Sequence, residues 1–295
     1  MLALSAFRMP CALLFFAAFA RAGPPPASPF VSFCDTDGFE QVWADEFSGT
    51  TLDNSSWTVD LAANDSRVRD SQGTADNVYL DGEGSLVLRS QRQRAGAFNF
   101  TSGAVETRGK RSWRGLTRAC VRAQLPGGGG GKSGQGIWPA HWMMPDNSAC
   151  WPSNGEIDIM EMINGDGTTH ATYHWREREV GGCGDQCPNG TRCVHPSIGQ
   201  THPDTSFGSE WHEYAVEYNA SHIAFALDGA VFQTLTPASA SARGHAPAEF
   251  FDVPYYMILN TAVGGPWPGP PTADTVFPTY HRIDYVRVAQ PSTES

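Results

Sequence analysis

The chain has 295 residues, 40% of them hydrophobic, and carries a formal net charge of −11. That charge repels nucleic acid, heparin and strongly sulfated polysaccharide at long range, so a neutral partner is expected. Beyond the first two dozen residues no segment approaches the ~18 apolar residues that a membrane span requires.

The first element along the chain is not part of a fold. Arg8, the apolar run 11–20 and Ala20-Arg21-Ala22 form the pattern of a secretory signal with a small-x-small cleavage site. Pro24, Pro25, Pro26 and Pro29 then make an extended leader. Strand-like runs, rich in β-branched and aromatic residues and bounded by Gly, Asn, Asp or Pro, are predicted over 85–90, 117–125, 210–218, 222–227, 230–235, 255–260 and 281–288. No pattern predicts an amphipathic helix longer than about ten residues. Many short strands with turn signals predict an all-β sandwich or jelly roll.

Of the seven cysteines, Cys11 lies in the signal; Cys34, Cys120, Cys150, Cys183, Cys187 and Cys193 remain. An even number in a secreted chain predicts disulfides, with connectivity open. If all six are oxidised, at least one of Cys183, Cys187 and Cys193 must bridge to Cys34, Cys120 or Cys150. The same three cysteines with His195 could be drawn as a zinc site, but an oxidising compartment favours a disulfide-tied loop. Sequons at Asn54, Asn64, Asn99, Asn189 and Asn219 fit a eukaryotic secretory route. The run 125–133, in which five glycines stand between Pro126 and Lys132-Ser133, nearly matches a phosphate loop. It lacks the first glycine, and residues 134–139 cannot open the helix whose N-terminus would bind the anion. It is read as a surface loop.

The informative stretch is 155–162, Gly-Glu-Ile-Asp-Ile-Met-Glu-Met. Strand side chains alternate faces, so Glu156 and Asp158 share one face and Glu161 falls on the other. A β-bulge at Ile159 or Met160 would reset the alternation and bring Glu161 back beside the other two. Ile157 and one of the two bulge residues would then enter the core. Three like charges on one wall cannot all ionise comfortably, so at least one pKa should rise. Carboxylates with divergent pKa values are what glycoside hydrolysis uses.

The flanks read as a sugar cleft. Alternation places Trp138, Ala140 and Trp142 on one face, Trp151 stands at the mouth of the acid strand, and Trp267 sits on a Gly/Pro loop. Indoles offer stiff, flat surfaces for the C–H faces of pyranose rings, although core packing is a close rival for Trp138 and Trp142. His170 and His174, on the predicted next strand, could each orient an acid, and His170 could equally be a core residue.

These residues resemble glycoside hydrolase family 16, and within it the laminarinase-like endo-β-1,3-glucanases. The resemblance runs from Trp43-Ala-Asp-Glu-Phe-Ser-Gly49 to Ile283-Asp-Tyr-Val-Arg-Val288, and is most specific in Trp138-Pro-Ala-x-Trp142 and Trp151-Pro-x-x-Gly-Glu-Ile-Asp-Ile-Met-Glu161. It implies a β-jelly-roll of two curved antiparallel sheets with an open concave cleft and endo action on a polymer. It implies Glu156 as nucleophile, Glu161 as acid/base and Asp158 as the partner that tunes both. It implies His174 near the acid/base and Trp138, Trp142, Trp151 and Trp267 as glucan contacts. No catalytic cofactor is implied. A structural calcium held by Glu46, Asp284 and the backbone near Gly84 is. The implied organisation is a signal at 1–22, a leader at 23–36, a catalytic domain at 37–290 and a tail at 291–295.

The chain departs from the family at Thr101-Ser-Gly-Ala104, where laminarinase-like members often carry a sugar-contacting Arg in place of Ala. Arg108 is the nearby candidate replacement, at a different strand position. The expectation is a secreted, monomeric hydrolase of neutral β-1,3-glucan. The alternatives are hydrolysis or transglycosylation of another neutral β-glycan, such as mixed-linkage glucan or a galactan, and a non-catalytic β-glucan recognition protein. The presence of both Glu156 and Glu161 argues against the last.

Overall fold

The computed structural model describes residues 31–292 except 37, 62–70, 128–130, 148–150, 153, 176–196, 204–205, 242–249 and 251. The signal, most of the leader, Cys150, Cys183, Cys187, Cys193, His195, Asn64 and Asn189 lie outside the described residues.

The described strands in chain order are β1 (Phe39–Asp45), β2 (Thr58–Val59), β3 (Ser71–Gly73), β4 (Val78–Leu80), β5 (Leu86–Ser90), β6 (Phe100–Ser102), β7 (Ala104–Glu106), β8 (Thr117–Gln124) and β9 (Ile137–Pro145). They continue with β10 (Glu156–Met162), β11 (Thr168–His174), β12 (Ser197–Pro203), β13 (His212–Tyr218), β14 (Ile223–Leu227), β15 (Ala230–Leu235), β16 (Tyr255–Val263) and β17 (Thr279–Pro291). Every strand predicted from sequence appears within a few residues of its expected bounds. The one described α-helix is the five-residue Pro237–Ser241.

An eight-stranded antiparallel sheet runs β15-β14-β13-β8-β17-β5-β4, with β1 added on β17. A seven-stranded antiparallel sheet runs β12-β11-β10-β9-β16-β7-β2. The core lies between them. Leu86, Leu88, Val121, Val216, Phe225, Ile283 and Val286 come from the first sheet; Met143, Ile157, Met160, Met257 and Leu259 come from the second. Burying such side chains is worth about 1.5–3 kcal/mol each and fixes which face of each strand points inward. In β9 the inward set is Ile137, His141 and Met143, all fully buried. Trp138, Ala140 and Trp142 therefore point to the outer face of the seven-stranded sheet, as alternation predicts.

The N-terminal segment is tied to the opposite sheet. Cys34 is disulfide-bonded to Cys120 of β8. The buried Glu213 carboxylate accepts from Ser32 Oγ at 2.5 Å, Phe33 N at 2.8 Å and Tyr285 OH at 2.7 Å. Of the glycine-rich run, the described part Gly131–Gly134 is a single 3-10 turn, and it leads into strand β9 rather than into an α-helix whose N-terminus could bind an anion. Asn54 and Asn99 are exposed, whereas the Asn219 side-chain oxygen closes its own turn by accepting from Ser221 N and His222 N.

Candidate active site

The site is built on β10, third from one edge of the seven-stranded sheet. Against β11, Asp158 pairs with Thr172 but Glu161 pairs with His170, so three steps on β10 match two on its neighbour. Against β9, Asp158 pairs with Trp142 and Met160 with His141, two steps against one. One extra residue therefore sits at Ile159–Met160: the bulge that the acid spacing predicts. Glu161 is turned to the face of Glu156 and Asp158. The expectation that one bulge residue enters the core needs correcting, because Ile159 and Met160 are both buried there. A bulge sets two residues against one, and here the core accommodates both.

Just before the strand, Gly155 adopts φ +86°, and a Cβ there would fall 2.5 Å from Tyr173 OH and 2.6 Å from Tyr255 OH. Only glycine lets the chain enter β10 so close to those two phenols.

The three acids are held by aromatic and imidazole neighbours. Trp138 Nε1 donates to Glu161 Oε1 at 3.0 Å. Trp151 Nε1 donates to Glu156 Oε2. Glu156 and Asp158 hydrogen-bond to each other. His174 is expected beside Glu161; its Nε2 lies 3.1 Å from Asp158 Oδ2, its register partner is Glu156, and its charge also acts on Glu161. The residue paired opposite Glu161 is His170.

Burial raises all three carboxyls. At Glu161 the charges of Asp158 and Glu156 add to burial and hold its pKa well above the carboxylate range, opposed by His174 and the Trp138 N–H. Glu156 is pushed up to about 8 by burial and then by Asp158, with His174 and the Trp151 N–H pulling it back. Asp158 is raised by burial and restrained by its bond to Glu156. Such a set can place a proton donor and a carboxylate on one face of the sheet, since Glu161 bears both neighbouring charges and keeps its proton longest.

Around the acids, Trp142 Nε1 donates to Asn260 Oδ1 of β16 at 2.7 Å. Trp267 is 43% exposed, and its ring meets Trp138 and His170 edge-on, each with centroids 5.2 Å apart. Arg108 is not gathered with the acids. It lies past the end of β7 with its guanidinium 5.6 Å from the Tyr256 ring. Tyr256 shares the outer face with Trp142 by register. Ala104, where the family resemblance leads one to expect Arg, pairs with Asn260. Asn260, Tyr256 and the Trp267-facing role of His170 were not assigned from sequence. Alternation in 255–260 puts Tyr256 and Asn260 on one face, but nothing in the sequence says which sheet that face belongs to.

The calcium expectation does not fit the residues present. Asp284 is bonded to Arg122 Nη1 at 2.5 Å, and Glu46 is bound bidentately by Arg287 at 2.8 and 3.0 Å. Both carboxylates a divalent cation would need are already neutralised by guanidinium groups. Beside Gly84, Asp81 Oδ1 is taken up by the turn itself, accepting from Glu83 N at 2.8 Å and Ser85 N at 3.0 Å. Among the described residues, the one group of three ligand atoms close enough for a metal is Glu156, Asp158 and His174, within 4.8 Å of one another.

Comparison with known proteins gives a consistent picture. The family model for glycosyl hydrolases family 16 matches residues 69–287. The chain is 32% identical over 271 residues to a beta-glucanase of Rhodothermus marinus, covering 85% of each chain. It is 31% identical over 280 residues to glucan endo-1,3-beta-glucosidase A1 of Niallia circulans, covering 85% of this chain and 38% of that one. It superposes with a TM-score of 0.72 and 28% identity on the catalytic domain of an endo-1,3-beta-glucanase (laminarinase) from Thermotoga petrophila, over 86% of this chain and 99% of that one.

Proposed function

The chain belongs to glycosyl hydrolases family 16 and is an endo-1,3-β-glucanase-like hydrolase; from that membership and the acid geometry we propose that it is a secreted, retaining endo-glycosidase that cleaves neutral β-1,3-glucan. The observation that carries the reading is the bulge, which brings Glu161 to the same wall as Glu156 and Asp158.

In the proposed mechanism Glu161, protonated because burial and two charges favour its neutral form, gives its proton to the glycosidic oxygen as the bond breaks. Glu156 attacks the anomeric carbon and forms a covalent glycosyl-enzyme. Asp158 holds the Glu156 carboxylate by their shared hydrogen bond and is itself held by His174. Glu161, now ionised, takes a proton from a water whose oxygen bonds to the anomeric carbon as the bond to Glu156 breaks, which returns the Glu156 carboxylate and releases the sugar with its configuration retained. Trp138, Trp142, Trp151 and Trp267 offer indole surfaces along the groove, and the −11 charge favours a neutral polymer over a sulfated one. No metal or organic cofactor enters these steps.

Proton NMR of laminarin digestion should show β-anomers first. Glu156→Ala should be inactive and rescued by azide as an α-glycosyl azide. Absence of any release from laminarin would reject the substrate assignment, and α-anomers appearing first would reject the mechanism.

A further inference from the structure

The glycine-rich run that does not make a phosphate loop takes part in a different construction. Three loops interlock on the Glu161 side of the site. From the turn after β10, Asn164 Oδ1 accepts from Gly136 N at 2.7 Å, and Asn164 N donates to Ile137 O at 2.8 Å. From the other side comes the segment that carries Trp267. Gly264 N donates to Gly136 O at 2.8 Å, Val276 N to Ser133 O at 3.0 Å, and Thr275 Oγ1 to Gln135 O at 2.8 Å. Gln135 Nε2 donates to Pro268 O at 2.7 Å, one residue past Trp267. The seam is closed to the backbone itself: a Cβ on Gly136, which sits at φ +81°, would fall 2.5 Å from Pro271 N.

The far end of the segment is held as well. Arg92 Nη2 donates to Thr272 O at 3.1 Å, and its guanidinium lies 5.3 Å from the rings of both Phe100 and Phe277. Trp267 thus combines an open face with a backbone fixed from behind. An exposed aromatic set in place before binding loses little freedom on contact with a ligand. Core packing gives no reason for this arrangement, since Trp267 is not in the core.

We propose that Gln135 is a positioning residue: its amide fixes Pro268, which sets the plane that Trp267 presents to the glucan and so governs polysaccharide affinity rather than bond cleavage. This rests on the glucanase reading of the site. The Gln135 amide acts through one backbone carbonyl, that of Pro268.

Gln135→Leu keeps the size and removes the donor. Its KM for laminarin should rise about three- to tenfold, the range of one misplaced aromatic contact, with kcat held within about twofold. In a Trp267→Ala background the same change should add nothing, because residues acting through one another are not additive. Thr275→Val, which loosens the same seam on its own, should raise KM in the same direction. Without substrate, Gln135→Leu should shift tryptophan emission, and the shift should vanish when both proteins also carry Trp267→Phe. Equal KM rises in the two backgrounds, or a fall in kcat with KM unchanged, would overturn the proposal. So would a normal KM in Gln135→Leu when Trp267→Ala raises it. If the wild-type chain leaves laminarin intact, the glucanase reading fails instead, and the clamp is judged by the emission shift alone.

Discussion

In the proposed mechanism Glu161 and Glu156 carry opposite tasks on the same wall, and the neighbours of each act on its proton. The Trp138 N–H stabilises ionised Glu161 across 3.0 Å, so it lowers the pKa of that carboxyl. Trp138→Phe removes the donor and lets the pKa rise. The alkaline limb of kcat/KM should then move to higher pH while the plateau falls about tenfold, the worth of one hydrogen bond to a charged group. A limb moving to lower pH would contradict the assignment. Glu156 gives a stability prediction of definite sign. Its pKa rises from an ordinary 4.5 to about 8 on folding. The native state keeps a proton that the unfolded chain releases, so the stability linked to that proton is whole below the unfolded value and is lost as pH rises through the folded one. Glu156→Gln cannot ionise. It should be inactive yet unfold at higher temperature than wild type, with the gain small in acid and largest at pH 8 and above, by roughly 2–4 °C for each kcal/mol relieved. Thermal scans of both proteins across that range check it, and equal unfolding temperatures throughout would refute it.

At the scale of elements, the decisive unit is β10 with its one extra residue. The three acids make the bulge readable because a regular strand would split them between two faces. That both Ile159 and Met160 point inward was not readable, since it depends on the space the opposite sheet leaves. His174 illustrates the same limit: its strand and face follow from alternation, but its partner follows from the register between β10 and β11. The other instructive element is the N-terminal segment, joined by Cys34–Cys120 to the sheet away from the acids. Cys34→Ser should lower stability by about 2–5 kcal/mol and leave kcat on laminarin unchanged at room temperature. Loss of activity without loss of stability would show that the segment reaches the site. With Cys34 and Cys120 paired, full oxidation of the other four requires Cys150 to bridge Cys183, Cys187 or Cys193. Peptide mapping of the unreduced protein should find that link.

Across the molecule, two stacked sheets put the three acids in one layer and, among the described residues, the Arg118–Glu217 and Arg122–Asp284 pairs in the other. Arg122–Asp284 and Arg287–Glu46 occupy the place where a calcium ion was expected. Guanidinium groups supply the neutralising charge from within the chain, so calcium addition or chelation should leave the unfolding temperature unchanged. A calcium-dependent rise reversed by chelator would show that the pairs open to admit the ion. The −11 charge acts at the same scale, as a long-range bias against anionic glycans that salt would screen.

The amino-acid sequence by itself determined the fold class, the positions of the longer core strands and the three acids of one wall, because each follows from a local rule of alternation, turn chemistry or one inserted residue; short strands such as β2, β3, β6 and β7 carried no such signal. Only the tertiary structure decided that Asn260 bonds Trp142, that His170 and Trp138 flank Trp267, that Gln135 holds the segment beside it, and that arginines sit where a metal was expected. Those contacts join residues distant in the chain, and side-chain periodicity carries no information about which distant strand or loop will arrive opposite.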